Sequence, residues 1–419
     1  MKQLLEKLPF YNQAVLPYHY AQSVYAGIKN GFPGKKLRVI GVTGTNGKTT
    51  TCFMIWHMLN LAGHKTGLMT TVAHGIDKLE PELNHMTTVD AITLNKRIKE
   101  IADAGAEFLV LEITSHALAE YRILNIPVEI AVFTNLTHEH LDYHKTLEGY
   151  RNAKGKLIEK AKYSILNADD PATEHYKKIA KDYSTYGIEK GRNRPENIKL
   201  NVSGVKYKYH GMKIETQIPG VFNVYNSLAA AMVGEKLGLT NSQIEEGIKT
   251  LESVEGRMNV IDEGQDFTVI VDYAHAPDAI EKVFDSVKDH KGHIISVHGG
   301  AGRRDPSTRP IRGEILADHS DIVIITEDDS RDEDLETIMN GFVEGAEKHG
   351  KKLGKDLFKE PDRGKAIALA FEKAKKGDLV LILGKGHEKT ILRAEGPVEF
   401  EDIKVAHQTL KKQQKNKKK

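Results

Sequence analysis

Residues 37–62 pass from a β-rich apolar run, Leu37 to Val42, through the loop Gly44-Thr45-Asn46-Gly47-Lys48-Thr49-Thr50 into a helical apolar stretch ending near Ala62. Strand, glycine-bearing turn and helix in that order open a βαβ unit, which commits the chain to a mostly parallel sheet covered by helices. The turn also has a chemistry. Glycines let backbone amides converge on phosphate oxygens, and a helix N-terminus adds partial positive charge. Lys48 is placed to reach terminal phosphates and the Thr49 hydroxyl to ligate magnesium. The spacing departs from the common eight-residue pattern: Val42 stands five before Gly47, and the nearest glycine is Gly44. A purely structural turn would not need Lys-Thr at its end, so the segment predicts nucleotide binding.

Further buried-strand runs at Phe108 to Leu111 and Ile130 to Phe133 alternate with helical stretches, as in an α/β sheet buried on both faces. Between Lys199 and Pro219 short alternating segments with glycines predict small hairpins before helix resumes from Asn223 to Leu237. A second βαβ series follows, with strands at Phe267 to Val271, His293 to His298, Asp321 to Thr326 and Leu379 to Leu383. The fold class expected is α/β: a central P-loop ATPase-like domain with a parallel sheet, then a C-terminal Rossmann-like doubly wound domain. The expected divisions are a short helical extension at 1–36, an ATP-binding domain at 37–255, a C-terminal Rossmann-like domain at 256–407 and a basic tail at 408–419. Residues 1–36 show a rough helical spacing (Leu4, Leu5, Leu8, Leu16, Tyr18, Tyr20) interrupted by Pro9 and Pro17. Their plain reading is packing on the next domain, and the alternative is an aromatic membrane-surface segment.

The length of 419 residues calls for two or three cores. Lys and Arg total 60 against 58 Asp and Glu, a net charge of +2, so the whole-molecule field gives no reason to expect nucleic acid. The Lys-rich end reads as a solvated tail. One cysteine, Cys52, excludes internal disulfides and cysteine-rich zinc sites and reads as a small core residue. No signal-like leader and no run of eighteen apolar residues appears. The compartment expected is the cytoplasm, without stable membrane insertion, and a monomer is favoured.

Two clusters sit where doubly wound sheets present ligands. Glu112 follows Phe108 to Leu111 and is either a magnesium ligand or a satisfied structural acid. Asn135-Leu136-Thr137-His138-Glu139-His140-Leu141-Asp142-Tyr143-His144 follows the Phe133 strand and suggests a metal or phosphate site, although loop histidines are also common on plain surfaces. These residues describe a nucleotide site. Hydrolysis, phosphoryl transfer and ligation all remain open to it.

Several ordered motifs narrow the choice: Gly44 to Thr49, Thr87-Thr88, Glu112-Ile-Thr-Ser-His116, Phe133-Thr-Asn135, His140 to His144, Ala153-Lys154, Asn223-Val-Tyr-Asn226, Gly256-Arg257, Asp272-Tyr-Ala-His275 and Gly384-Lys-Gly-His-Glu388. From about Leu37 to His407 the chain resembles the Mur ligases. The resemblance implies an ATP- and Mg2+-dependent ligase that adds a third amino acid to UDP-N-acetylmuramoyl-L-alanyl-D-glutamate through an acyl phosphate, in peptidoglycan precursor synthesis. It assigns Lys48, Glu112, His140 and Lys154 to catalysis, and Thr49, Glu112, His140 and a carbamylated Lys154 to metal. Without the family Lys154 reads as a surface lysine of a helix. ATP would meet Gly44, Thr45, Asn46, Gly47, Lys48, Thr49, Thr50, Asn135, Asn226, Arg257 and Asp272. The nucleotide-sugar peptide would meet Thr87, Thr88, Thr114, Ser115 and Arg122.

For the incoming amino acid the resemblance points to Arg309, Asp329, Arg331, Gly384 and Glu388. Relatives selecting diaminopimelate carry Asp-Asn-Pro-Arg where this chain has Asp328-Asp329-Ser330-Arg331. The arginine is kept, and an arginine paired with an acid suits a zwitterionic end, so diaminopimelate is expected ahead of lysine. Other departures are Val89 in a Thr-Thr-Pro-Asp pattern and Thr114 in a Ser-Ser-His pattern. Family members also carry an N-terminal uridine-binding domain of roughly a hundred residues, and with 36 residues before the first strand that anchor is expected to be lacking. The rival readings are a relative that extends folate or poly-glutamate chains, a non-ligating nucleotide-binding subunit, and a plain P-loop ATPase.

Overall fold

The computed structural model describes residues 14–82, 86–137, 139–201 and 204–417, and the readings placed on Leu4, Leu5, Leu8, Pro9, His138 and the final two lysines lie outside them. The chain divides into two compact units. The first takes Val205–Gln217, Phe222–Glu252 and the described residues up to Lys199; the second takes Leu200–Gly204, Ile218–Val221 and the chain from Ser253 onward.

The first unit is built on eight strands: β1 (Arg38–Thr43), β2 (Thr66–Met69), β3 (Ala73–Gly75), β4 (Leu79–Pro81), β5 (Phe108–Glu112), β6 (Ile130–Phe133), β7 (Tyr163–Asn167) and β8 (Tyr183–Tyr186). Their order is β4-β3-β2-β5-β1-β6-β7-β8. The pairs from β2 through β8 are parallel, and β3 and β4 extend one edge antiparallel. Apolar residues bury both faces, with Leu109, Leu111, Phe133, Leu157, Ile158 and Tyr176 in one core cluster. The register pairs Val42 with Glu112 and Thr43 with Phe133, so the carboxyl ends of β5, β1 and β6 stand side by side. That alignment brings the glycine loop, Glu112 and Asn135 to one rim.

The helix Leu16–Lys29 has Pro17 in its first turn, where a missing N–H costs nothing, so this proline starts the helix rather than interrupting it. Its buried side holds Ser23, Ala26 and Gly27, and Asn125 Nδ2 donates to the Ser23 carbonyl at 2.6 Å. Tyr18, Tyr20, Tyr25 and Ile28 remain exposed. Strands β9 (Glu196–Asn201), β10 (Gly204–Tyr209) and β11 (Met212–Thr216) form the small sheet the glycine-punctuated segment predicts.

The second unit has strands β12 (Asn259–Ile261), β13 (Thr268–Asp272), β14 (Ile294–Gly300), β15 (Ile322–Glu327), β16 (Leu357–Lys359) and β17 (Leu379–Leu383) in the order β12-β13-β17-β14-β15-β16, with the hairpin β18 (Thr390–Arg393) and β19 (Gly396–Glu399) beside it. All pairs of the larger sheet are parallel except β12 with β13. Three of its helices start on side-chain caps, Asp334 for Leu335–Lys348 and Asp362 for Arg363–Lys373, or on a proline for Pro277–Val287.

The basic tail expected from 408 departs from the sequence reading. Residues 402–417 form one helix, Leu410 is buried, and Lys411 pairs with Glu263 at 3.2 Å. Ala406 and Leu410, four residues apart, supply one narrow apolar stripe that the surrounding lysines hide in the composition. Among the described residues no helix is long and apolar enough to cross a membrane.

Candidate functional site

Gly47 is the N-cap of the helix Lys48–Leu61 and has φ +84°. A Cβ there would stand 2.4 Å from Asn226 Oδ1, so the position needs glycine for conformation and for space. The loop is pinned from β6's end: the Asn135 carbonyl accepts from Thr45 N at 2.8 Å, Asn135 Oδ1 accepts from Asn46 N at 2.9 Å, and Asn135 Nδ2 donates to the Asn46 carbonyl at 3.1 Å. Asn226, on the helix Phe222–Leu237, accepts from Thr51 Oγ1 at 3.3 Å and donates to Asn223 Oδ1 at 2.8 Å. The candidate ATP residues of this unit therefore form one connected rim, with Thr50 buried behind it.

Lys48 Nζ donates to the Thr45 carbonyl at 2.8 Å and lies 3.9 Å from Glu112. Glu112, 1% exposed, accepts from Thr49 Oγ1 and from Thr71 N, each at 3.0 Å. Lys154 is 1% exposed and donates to the Gly44 carbonyl at 2.7 Å, with its ammonium nitrogen 4.4 Å from the Tyr150 ring centroid. Burial, then the nearby Lys48 charge, pushes its pKa well below the ordinary lysine value. Lys154, which without the family reads as a surface lysine, is thus a buried amine lodged against the glycine loop.

His140 has φ +56° and its ring sits 4.9 Å from that of His116. His144 Nε2 and Ser115 Oγ are 2.9 Å apart. Thr88 Oγ1 donates to the Glu112 carbonyl at 3.0 Å and accepts from Thr114 N at 3.1 Å, while Thr87 accepts from Thr71 Oγ1 at 2.9 Å. Arg122 donates to the Thr88 carbonyl and chelates Glu120 at 3.0 and 2.6 Å. Thr87, Thr88, Thr114, Ser115 and Arg122 are thereby brought together beside Glu112.

In the second unit, register places Asp272 opposite Leu383 and Gly300 opposite Glu327, gathering the carboxyl ends of β13, β17, β14 and β15. Asp272 accepts from Met258 N and Ala274 N at 2.8 and 2.7 Å; burial raises its pKa, against the Arg257 charge. The Arg257 guanidinium lies 4.7 Å over the Tyr273 ring. Around the fully buried Lys385 stand Asp328, Asp329 and Glu388 at 3.1, 2.9 and 2.8 Å. Burial raises the Asp328 carboxyl, but the Lys385 and Arg363 charges outweigh it and hold it well below the usual range. Gly384 N donates to the Asp272 carbonyl at 3.1 Å, and Arg331 donates to the Gly302 carbonyl at 3.2 Å. Arg309 donates from its two Nη atoms to Glu333 at 2.6 and 2.9 Å, Glu333 N in turn donates to the Ser330 carbonyl at 3.1 Å, and Arg309 Nε is buried without a partner.

The family profile described as the Mur ligase middle domain matches residues 42–234, and that described as the Mur ligase, glutamate ligase domain, matches 256–386. The chain belongs to the Mur ligase family. It is 39% identical over 408 residues to the UDP-N-acetylmuramoyl-L-alanyl-D-glutamate--2,6-diaminopimelate ligase of Geobacillus kaustophilus, covering 93% of this chain and 82% of that one. It is 37% identical to the UDP-N-acetylmuramyl-tripeptide synthetase of Roseiflexus sp., covering 91% and 80%. A solved UDP-N-acetylmuramoyl-L-alanyl-D-glutamate--2,6-diaminopimelate ligase superposes with a TM-score of 0.64 at 32% identity, covering 90% of this chain and 79% of that one.

Sequence reasoning passed over Thr71, Tyr150, Asp328 and Lys385. Tyr150 stands one helical turn before Lys154, a spacing that puts both on one helix face. Lys385 lies inside the Gly384-to-Glu388 motif and Asp328 heads the Asp328-to-Arg331 run, so both were signalled by position. Thr71 contributes its backbone N–H, for which no side-chain signal exists.

Proposed function

We propose that this Mur ligase couples ATP cleavage to amide-bond formation, joining diaminopimelate to the D-glutamyl γ-carboxylate of UDP-N-acetylmuramoyl-L-alanyl-D-glutamate for peptidoglycan precursors. The domains taken are 37–255, the central ATP-binding domain, and 256–407, the C-terminal Rossmann-like ligase domain, which adds Arg257 and Asp272 to the ATP site and carries the amino-acid residues. The observation that carries the reading is the buried Lys154 amine held 2.7 Å from the Gly44 carbonyl, beside Glu112 and Lys48. A plain P-loop ATPase has no use for that amine or for the second unit's own acid-and-arginine cluster.

The γ-carboxylate attacks the γ-phosphorus of ATP and ADP leaves, giving an acyl phosphate; the neutral amine of the amino acid then adds to its carbonyl, and phosphate departs as the ammonium proton is lost. Loop amides and Lys48 neutralise charge on the transferring phosphoryl group. The hard-oxygen set of Thr49 Oγ1 and Glu112, 3.0 Å apart, fits magnesium, with His140 as a further ligand. Magnesium supplies charge screening on the phosphates when bound. A neutral Lys154 can add carbon dioxide and lose a proton, turning its end into an anionic oxygen donor. In the second unit Arg331, which makes no ion pair among the described residues, is suited to a carboxylate, and the Asp329 and Glu388 acids to an ammonium.

The test is phosphate release from ATP with UDP-N-acetylmuramoyl-L-alanyl-D-glutamate and diaminopimelate, lysine or ornithine in turn, with the product weighed by mass spectrometry. Release that requires the dipeptide and diaminopimelate is expected. Release without any amine, or with lysine alone, overturns the reaction or the amino acid respectively.

A further inference from the structure

The helix Leu16–Lys29 turns its small residues inward and its large ones outward. Ser23, Ala26 and Gly27 are buried, and a Cβ on Gly27 would stand 2.5 Å from Asn125 Nδ2, so the packed side admits nothing larger there. On the other side Tyr18, Ala21, Tyr25 and Ile28 recur at intervals of three and four residues and are all exposed, Tyr18 and Ile28 at 64% and Tyr25 at 54%. That spacing is how an amphipathic helix presents an apolar face to whatever covers it. Four of the fourteen exposed large hydrophobic side chains among the described residues, Tyr20 being the fourth here, fall on this one helix. Scattered single exposures are ordinary, whereas a contiguous apolar patch marks an interaction surface.

The second observation is charge. From Lys7 to Ile76 the sequence has no aspartate or glutamate, while Lys29, Lys35, Lys36 and Arg38 close the stripe and follow it. Residues 1–38 hold six bases and one acid, Glu6, an excess of five cations in a chain of net charge +2. These cations lie beside rings. Lys29 Nζ is 5.7 Å from the Tyr25 ring centroid and Lys35 Nζ 4.7 Å from that of Phe32; Lys156 Nζ is 4.9 Å from that of Tyr121, whose ring lies 5.6 Å from Tyr20. Next to Lys35 a cavity of about 260 Å³ is lined by Lys35, Lys36, Arg38 and Lys162, with Glu129 its one acid. Glu129 and Glu107 face Arg38 at 2.6 and 3.7 Å, and Asp103 faces Lys36 at 3.8 Å. Lys29, Lys35 and Lys156 make no ion pair among the described residues.

We propose that this stripe and the cations beside it dock the first unit peripherally on an anionic phospholipid bilayer, with Tyr18, Tyr25 and Ile28 at headgroup depth and Lys29 and Lys35 against lipid phosphates. Tyrosine suits that depth because its ring is apolar and its hydroxyl stays wet. Lysine lays its stem along apolar surface while its ammonium reaches the headgroups. Charge decides against a second copy of the chain as the occupant. In a symmetric pair the face meets itself, and Lys29 and Lys35 would stand against their own counterparts with no acid on the stripe to answer them. The helix has 14 residues, too few to cross a bilayer, so attachment is to the surface and draws on apolar burial and charge together. The basic cluster leads into the amino end of β1, whereas the glycine loop leaves its carboxyl end, so the docking face and the ATP rim lie at opposite ends of that strand.

The experiment is flotation of the full chain with vesicles of phosphatidylcholine alone and of an equal mixture with phosphatidylglycerol. The chain should bind the mixed vesicles about tenfold or more tightly than the neutral ones, and high salt should remove the difference. Tyr18→Gln, Tyr25→Gln and Ile28→Gln together should weaken binding to the mixed vesicles by about tenfold or more. Lys29→Glu with Lys35→Glu should bring it down to the level of the neutral vesicles. All five positions are exposed, so the urea midpoint should stay where it is in the unsubstituted chain. Should the triple variant shift that midpoint, Ile28→Gln alone carries the apolar test, with a loss of about threefold expected. Lys412→Glu with Lys415→Glu, an equal change of charge on the Lys-rich last helix, should keep most of the binding. No binding to the mixed vesicles at low salt overturns the proposal. Binding that survives either set of substitutions in the stripe, or that only the last-helix pair removes, also overturns it. A dimer in sedimentation that the glutamine variant splits, without vesicle binding, gives the face to a second copy instead.

Discussion

Gly47 and Lys154 bear most directly on the chemistry, and each can be tested alone. A methyl at Gly47 meets two obstacles, the positive φ of 84° and Asn226 Oδ1 at 2.4 Å. The backbone alone costs about 1 kcal/mol, and the loop must move to relieve the contact. Gly47→Ala should therefore raise KM for ATP well over about tenfold with little change in KM for the amino acid; equal ATP affinity in a direct titration would dissociate this turn from the nucleotide. Lys154→Ala should lose nearly all turnover, with partial recovery in added formate or acetate, because a small carboxylate can occupy the space of a carbamate. Full turnover without additives would take Lys154 out of the mechanism. These two residues were unequally legible. The Gly47 turn declares itself because glycine, lysine and threonine at that spacing have one physical use. Lys154 does not, since whether a lysine on a helix is exposed depends on what packs over it, here Tyr150 and the loop carrying Gly44. Only family resemblance marked it. Arg309 shows the converse, a residue marked by resemblance whose charge is already met by Glu333.

At the scale of elements, long apolar runs announced β5, β6 and β17 nearly residue for residue, because a strand buried on both faces leaves an uninterrupted hydrophobic signature. The three-residue β3, β4 and β12 carry no such signature; they are added at sheet edges by pairing that only the assembled sheet provides. The last helix, Asp402–Lys417, was hidden for another reason, its composition being dominated by solvated lysine and glutamine around a single buried stripe. It is anchored at its start by Asp402, which chelates the buried Arg363 at 2.7 Å twice, and further on by Leu410. Ending the chain after His407 should therefore destabilise the second unit by on the order of 3 kcal/mol, chiefly through loss of the Leu410 side chain. Leu410→Ala should reproduce most of that shift in a urea titration, whereas Lys415→Ala at an exposed position should stay within about 0.5 kcal/mol. A truncated chain as stable as the full one would mean that the helix end contributes nothing.

Two units with separate cores, one around Leu109, Phe133 and Leu157 and the other around Val269, Val297 and Leu410, give the whole molecule two cooperative blocks rather than one. Calorimetry should therefore resolve two transitions, since two-state behaviour is a property of single domains. The assignment can be made by substitution. Arg363 and Asp402 form an ion pair with fully buried side chains, and removing one partner strands the other, a loss of about 3–5 kcal/mol. Arg363→Met should therefore lower one transition and leave the other in place. ATP with magnesium should raise the transition that Arg363→Met leaves unmoved, by about 2.7 kcal/mol at a hundredfold excess over Kd, because the glycine loop, Glu112 and Asn226 all belong to the first unit. A single transition that both perturbations shift together would show that the two cores unfold as one body, and the amino-acid cluster and the glycine loop would then have to be treated as thermodynamically coupled even without ligand.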